Sequence, residues 1–298
     1  MRVTSKMIFN QAAGNIIDAN EALFEAHERV AAGKRILRPS DDPSGTSRVM
    51  GYRTLKSNIE QYDRNLNAVQ GRLEATESAL ESASNILQRL KELAVAEANG
   101  TMNADDRRIG AREAEQLFEE MIAIANTKTE SGYIFAGFSS DTAPFQSDGT
   151  ITGGLDISNE INIQIDSGLT VAANIPGDKL FKGASGGIDV LTAINAFTAA
   201  LKANDTAGIE TAISDMDSAL NQVIDTRTDV GTRLSRIDLI RERLDDVKLV
   251  TTKALSQEED IDLAGAISDF TAKQQALEAA RASAARIFEM PTLMDFLK

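Results

Sequence analysis

His27 is the only histidine in the sequence, and no cysteine accompanies it. Disulfides, zinc–thiolate centres and thiol nucleophiles are therefore excluded. A lone histidine without a serine or carboxylate constellation reads as a structural or surface residue, so no catalytic residue is assigned. Asp41 and Asp42 sit in RPSDDPSG, residues 38–45. They lack the spaced oxygen ligands of a calcium loop and fit helix capping better. Glu258, Glu259, Asp260 and Asp262 form an acidic cluster. Its simplest reading is negative charge at a helix N-terminus, where the helix dipole favours it. Tyr133, Phe135 and Phe138 of GYIFAGF have the means to stack a ligand, but core packing at a corner of the fold is the simpler role. No metal or cofactor site follows from these residues.

The balance of charge narrows the classes further. Asp and Glu number 45 against 31 Lys and Arg, a formal net charge of −14. Nucleic-acid binding needs a basic footprint, so it is not expected. Acidic copies repel one another, and any self-assembly must be driven by apolar packing. The opening MRVTSKMIFNQAAGN has no apolar core of signal-peptide length, and no run is long enough to span a bilayer, so no membrane association is expected.

The candidate residues must be held by helices. Phe9, Ala12, Ile16, Ala19, Leu23, Ala26 and Val30 recur in alternating steps of 3 and 4, a one-sided helical seam ending near Gly33. Pro39 then disfavours helix at Arg38, Asp42 is a suitable N-cap, and Pro43 falls at the first helical position. Pro39, Asp42 and Pro43 are thus read as a hinge before a new helix. From Tyr52 through Leu55, Ile59, Tyr62, Leu66, Val69, Leu73, Thr76, Leu80, Ala83, Leu87, Leu90 and Ala94 the same steps continue without a slip. That predicts a helix on the order of 65 Å long, with a coiled-coil-like partner. NGTMNADD is a turn, and Leu117, Phe118, Met121, Ile122 and Ala125 define a shorter helix folding back on the long one.

Near Gly132 the pattern changes. Ten of the twenty glycines lie from Gly132 to Gly187, and Ile161, Ile163 and Ile165, then Leu169, Val171 and Ala173, alternate with other residues. Period two with turns at SDG and DSG predicts β-hairpins. Helical spacing returns in a short helix over Ile188–Leu201 and a long one from Ile209 to Val247, with Arg227 and Arg241 on its seam. Leu263, Ile267, Phe270, Leu277, Ala284 and Phe288 mark a C-terminal arm closed by Pro291.

The expected fold is therefore mainly α: an elongated rod of long antiparallel coiled-coil-like helices with a small β-rich inserted domain. Terminal helical arms occupy 1–40 and 256–298, the rod 41–135 and 188–255, and the β-hairpin insert 136–187. Both arms fall at one end of the rod and the insert at the other. Isolated narrow-seamed helices gain little stability alone, so the arms are expected to order only on assembly. The assembly residues are Ile16, Leu23, Val30, Ile267, Phe270, Leu277 and Phe288, with Leu293, Phe296 and Leu297 in the tail.

AAGKRILRPSDDPSG, NGTMNADDR, RTDVGTRLSRID, EEDIDLAGAISDF and the closing LMDFLK, in that order, resemble the flagellin family. GYIFAGF, carrying Tyr133, Phe135 and Gly137, resembles the Tyr-x-Phe-x-Gly stretch of members that form the hook–filament junction. The resemblance implies an extracellular structural protein of the bacterial flagellum, exported through the flagellar type III channel without a cleaved signal peptide. It implies no enzyme activity. Its implied partners are its own copies in a ring or helical shell, the first hook-associated protein, flagellin and a flagellar export chaperone. A short flagellin forming the filament itself is the alternative. An enzyme on a helical scaffold is a third possibility, but the short insert carries no HExxH pattern.

Overall fold

The computed structural model describes residues 5–184 and 186–288. It is mainly helical, with a small strand content. The helices are α1 (Ser5–Ala32), α2 (Pro43–Glu97), α3 (Ala104–Ala125), α4 (Gly177–Phe181), α5 (Val190–Ala203), α6 (Thr206–Glu259) and α7 (Leu263–Phe288). Strands β1 (Lys128–Thr129) and β2 (Gly132–Tyr133) form one antiparallel pair, β3 (Asn162–Asp166) and β4 (Leu169–Ala172) another. Two compact units result, one from residues up to Asn58 together with those from Asp246, the other from Ile59–Asp245.

The boundaries follow local chemistry. Gly33 ends α1 at φ +68°, a conformation glycine adopts without a Cβ penalty. Asp42 Oδ1 accepts from Gly45 N at 2.8 Å, capping α2, while Pro43 supplies the first helical residue without a wasted N–H. Asn103 opens α3 with a capping box: its side chain accepts from Asp105 N and Asp106 N, and Asp106 accepts from Asn103 N. Asp189 caps α5 by accepting from Thr192 N at 2.9 Å.

The unit Ile59–Asp245 holds the hydrophobic core, a continuous cluster running from Ile59 to Leu244. Leu66, Leu73, Leu80, Leu87 and Leu90 of α2 are fully buried, as are Met216, Val230 and Ile237 of α6. Cross-links fix the relative direction of the two helices. Lys91 pairs with Asp217, Glu77 with Arg227 at 2.7 Å, and Asn67 with Arg241 at 2.9 Å, so partners ascend one helix as they descend the other. Arg227 and Arg241 thus lie half-buried on the seam, each with a polar partner on α2. Thr76, the polar break in the apolar repeat, is buried and donates to Arg72 O at 2.8 Å. The repeat outruns this core: Leu55 and Val247 are exposed.

The glycine-rich region packs within this unit. The DSG turn, with Gly168 at φ +72°, joins β3 to β4, and the SDG turn closes a bridge between Phe145 and Ile151. Ile165 and Val171 face inward, while Ile161 and Ile163 are half-buried. Arg233 of α6 donates to Ala172 O and Asn174 O at 3.2 and 3.0 Å, which holds the hairpin's edge. Phe135 and Phe145 meet Phe181 edge-on, with centroids 5.2 and 5.4 Å apart. Two of the GYIFAGF aromatics behave otherwise. Tyr133 is half-buried with the Lys128 ammonium 5.4 Å from its ring, and Phe138 is 65% exposed because the chain turns at Gly137, φ +60°. The corner-packing role therefore belongs to Phe135 and not to Phe138.

Candidate functional site

The unit formed by the two ends of the chain is built around the pairing of α1 with α7. The pairing is antiparallel. A groove near Ala12 is completed by Ala280 and Ala284, a second near Leu23 by Phe270, and a third near Arg29 by Gly265 and Ala266. His27 lies against Phe270 with ring centroids 6.0 Å apart, an ordinary packing contact with no catalytic neighbour.

The alanine-rich seam explains how little this pair buries. Ala12 and Ala26 are buried against the partner helix, as are Leu277 and Ala284, but Ile16, Leu23, Val30 and Phe270 are only half covered. Ile267 is exposed, and so are Met7, Ile8, Phe9, Ile17, Phe24 and Leu263. Ile17 at 64% and Phe24 at 60% lie outside the 3-4 seam and present large apolar side chains to solvent. Phe288 ends α7, while Leu293, Phe296 and Leu297 lie outside the described residues.

Where α1 ends and α7 begins, a joint ties the two chain breaks together. Arg35 N donates to Glu259 O at 2.7 Å and Ile261 N to Gly33 O at 3.1 Å, a short antiparallel bridge centred on Lys34 and Asp260. Arg48 of α2 donates to both carboxylate oxygens of Glu258, at 2.9 and 3.0 Å. Arg35 donates to Glu258 O at 2.9 Å. Glu259, only 5% exposed, accepts from Lys34 and from Arg53 at 2.5 Å. Pro39 stands exposed in the intervening loop, where Asp41 Oδ2 accepts from Arg38 N and Leu37 N at 3.0 and 3.2 Å.

This geometry corrects the reading of the acidic cluster. Glu258 and Glu259 end α6, where the dipole opposes negative charge, and they are held instead by four cations, Lys34, Arg35, Arg48 and Arg53. Asp262 alone fits the helix-start role, since it accepts from Ala264 N at 3.1 Å in the first turn of α7. The hydrogen bonds from Arg48 hold the Glu258 carboxyl below its ordinary range. Burial pushes Glu259 up, but the bonds from Lys34 and Arg53 outweigh it and leave its pKa lowered. The Gly45 N–H, then the Ser44 hydroxyl, lower Asp42. The Arg38 N–H lowers Asp41.

The cationic partners were not singled out in the sequence, although KRILR, residues 34–38, carried the signal as the only basic run at the break. Gly45 was also missed. A Cβ there would overlap the capping Asp42 carboxylate and approach Ile36 Cδ1 to 2.7 Å, so a side chain at residue 45 would force the cap to shift. Among the described residues no group of carboxylates and imidazoles is arranged to hold a metal, and no helix is long and apolar enough to cross a membrane.

Comparison with known proteins places this architecture. The model of the bacterial flagellin N-terminal helical region matches residues 3–140, and that of the C-terminal helical region matches 213–297. The chain belongs to the flagellin family. The two matched regions span α1, α2 and α3 on one side and most of α6 with α7 on the other, and so include the elements of the paired arms and their joint. Flagellar hook-associated protein 3 of Escherichia coli is 28% identical, with 94% of each chain covered. A flagellin of Listeria monocytogenes is 26% identical over 91% of this chain and 90% of its own. The solved structure of hook-associated protein 3 from Legionella pneumophila, at 17% identity, superposes with a TM-score of 0.62 over 70% of this chain and 98% of its own. Within the flagellin family the chain is thus most like hook-associated protein 3.

Proposed function

We propose that this protein is the structural adaptor joining the hook-associated zone of the bacterial flagellum to the flagellin filament. The observation carrying this reading is the set of large apolar side chains left open on the α1–α7 pair, including Ile17, Phe24 and Ile267, beside a seam that is itself only half covered at Ile16, Leu23, Val30 and Phe270. Neighbouring copies in a ring or helical shell cover that face, recovering roughly 25 cal/mol per Å² of apolar surface against the repulsion of acidic subunits. Ile16, Leu23, Val30 and Phe270, with the tail residues Leu293, Phe296 and Leu297, act in the same contact, and Leu277, already buried between α1 and α7, supports it from within the pair. The arms are loosely held in the free subunit and order fully on assembly. α2 and α6 serve as an antiparallel coiled-coil-like rod, with the loop around Pro39, Asp42 and Pro43 as the hinge between rod and arm.

In this role the protein acts outside the cell, reaches its site by flagellar export without a cleaved signal, and performs no turnover. It meets the first hook-associated protein on one side and flagellin on the other, after release from an export chaperone. The likeness to hook-associated protein 3 over 94% of both chains supports this placement, while the Listeria likeness keeps a filament-forming flagellin as the second reading. Deletion of the gene separates them. An adaptor-less strain keeps its hooks and sheds flagellin into the medium; normal filaments would overturn the adaptor role, and loss of all flagellin subunits would favour the filament role.

A further inference from the structure

The turn between α2 and α3 carries Asn99 followed by Gly100, both exposed. Asn99 Oδ1 accepts from Thr101 N at 3.3 Å, an Asx turn that folds the carboxamide over the Gly100 peptide. Among the described residues no hydrogen bond engages the Gly100 N–H, and glycine puts no Cβ in the way. The geometry points to Asn99 as a site of spontaneous deamidation in the folded protein. The deprotonated Gly100 nitrogen attacks Asn99 Cγ, forming a ring C–N bond; the carboxamide C–N bond breaks, and nitrogen leaves as ammonia with a proton from water. One water then opens the five-membered imide at either carbonyl, giving aspartate or isoaspartate. No oxidant or cofactor is required.

Two neighbours show why the choice falls here. Asn103 is locked by accepting from Asp105 N and Asp106 N and is followed by alanine. At Asp148–Gly149 the Gly149 N–H donates to Gln146 O at 3.0 Å, which ties up the nitrogen that would attack. The reaction at Asn99 has a structural consequence. Its carbonyl accepts from Met102 N at 3.0 Å and Arg107 Nη2 at 3.4 Å, and Arg107 also donates to Glu97 O and to Asn204 Oδ1. Isoaspartate reroutes the backbone through the former side chain and displaces that carbonyl, while adding a carboxylate near buried Glu97. The turn thus records the age of the chain.

The test incubates the intact native protein in mildly alkaline buffer made with ¹⁸O-water and follows the tryptic segment 92–107 by mass spectrometry. Replacement of NH2 by OH adds about 1 Da, plus the isotope, at Asn99 as two chromatographically separate products. Asn103 in the same peptide stays unchanged, and Gly100→Ala slows the reaction at least about tenfold. A native rate more than about tenfold below that of the urea-unfolded chain, or equal conversion at Asn103, overturns the assignment. So does a Gly100→Ala variant reacting at the parent rate.

Discussion

The two units of this protein spend the same kinds of side chain differently. Between Ile59 and Asp245, leucines at helical spacing are sealed to zero exposure and polar groups on the seam find partners. In the unit made by the chain ends, alanine fills the seam and the large apolar residues, Ile17 and Phe24 among them, face outward. The contrast lies in the seams: aliphatic seam residues are sealed in one unit and only half covered in the other, while exposed apolar residues off the seam, such as Leu239 and Ile17, occur in both. Hydrophobic spacing alone does not tell these cases apart; the size of the residue at each seam position does.

The largest expected effect breaks the sealed seam. Leu80→Ala should cost about 3 kcal/mol in urea unfolding, since a fully buried leucine leaves a cavity as well as losing transfer energy. A cost below about 1 kcal/mol would show that this seam is not the principal core.

Next comes the open face. The double substitution Ile17→Asp with Phe24→Asp should change monomer stability by less than about 0.5 kcal/mol, because both side chains already face water. Polymer incorporation, read by sedimentation, should fall at least about tenfold. Normal incorporation would place the assembly contact elsewhere.

A smaller effect tests the joint. Glu259→Gln leaves Lys34 and Arg53 without their shared anion and should weaken the end unit by about 1–2 kcal/mol, below the cost of breaking a fully buried pair because both cations are partly exposed. Limited proteolysis reads this as faster loss of the segments before about Ser40 and after about Ser256, with the middle spared; ends as resistant as the middle would count against loosely held arms. The pH dependence has a definite sign. The pKa values of Glu258, Glu259, Asp41 and Asp42 are lowered on folding, so their contribution is complete above the ordinary values of 4.5 and 3.8 and is lost as pH falls below them. Glu97 runs the other way: burial raises its pKa, so acid relieves the corner between α2 and α3 while it releases the joint. The smallest effect is Thr76→Val, expected within about 0.5 kcal/mol, because the lost bond to Arg72 O is offset by apolar burial.

Much of the fold was legible. Strict 3-4 spacing marked α1, α2 and α6, and Asp42–Pro43 marked where α2 starts, because helix periodicity and caps are local chemistry. The hairpin at Ile161–Ala173 followed from its alternation and the DSG turn. The candidate site was legible only in part, and its assembly role is a proposal. Ile16, Leu23 and Val30 were read from the seam, whereas the outward Ile17 and Phe24 were not, since residues off the stripe count as surface until a partner is considered. The pairing of Glu258 with Arg48 crosses more than two hundred residues, and no local rule connects them. Phe138 was misplaced for a related reason: composition places an aromatic inside, but the turn at Gly137 sends it out.

The antiparallel meeting of α1 with α7 has a consequence for synthesis. A chain truncated before Leu263 lacks the helix against which Ala12 and Ala26 are packed, so its first segment cannot present a complete contact to anything. On the proposed function, only a polypeptide translated through α7 is eligible for the polymer, and the architecture thereby proofreads length without any dedicated inspector.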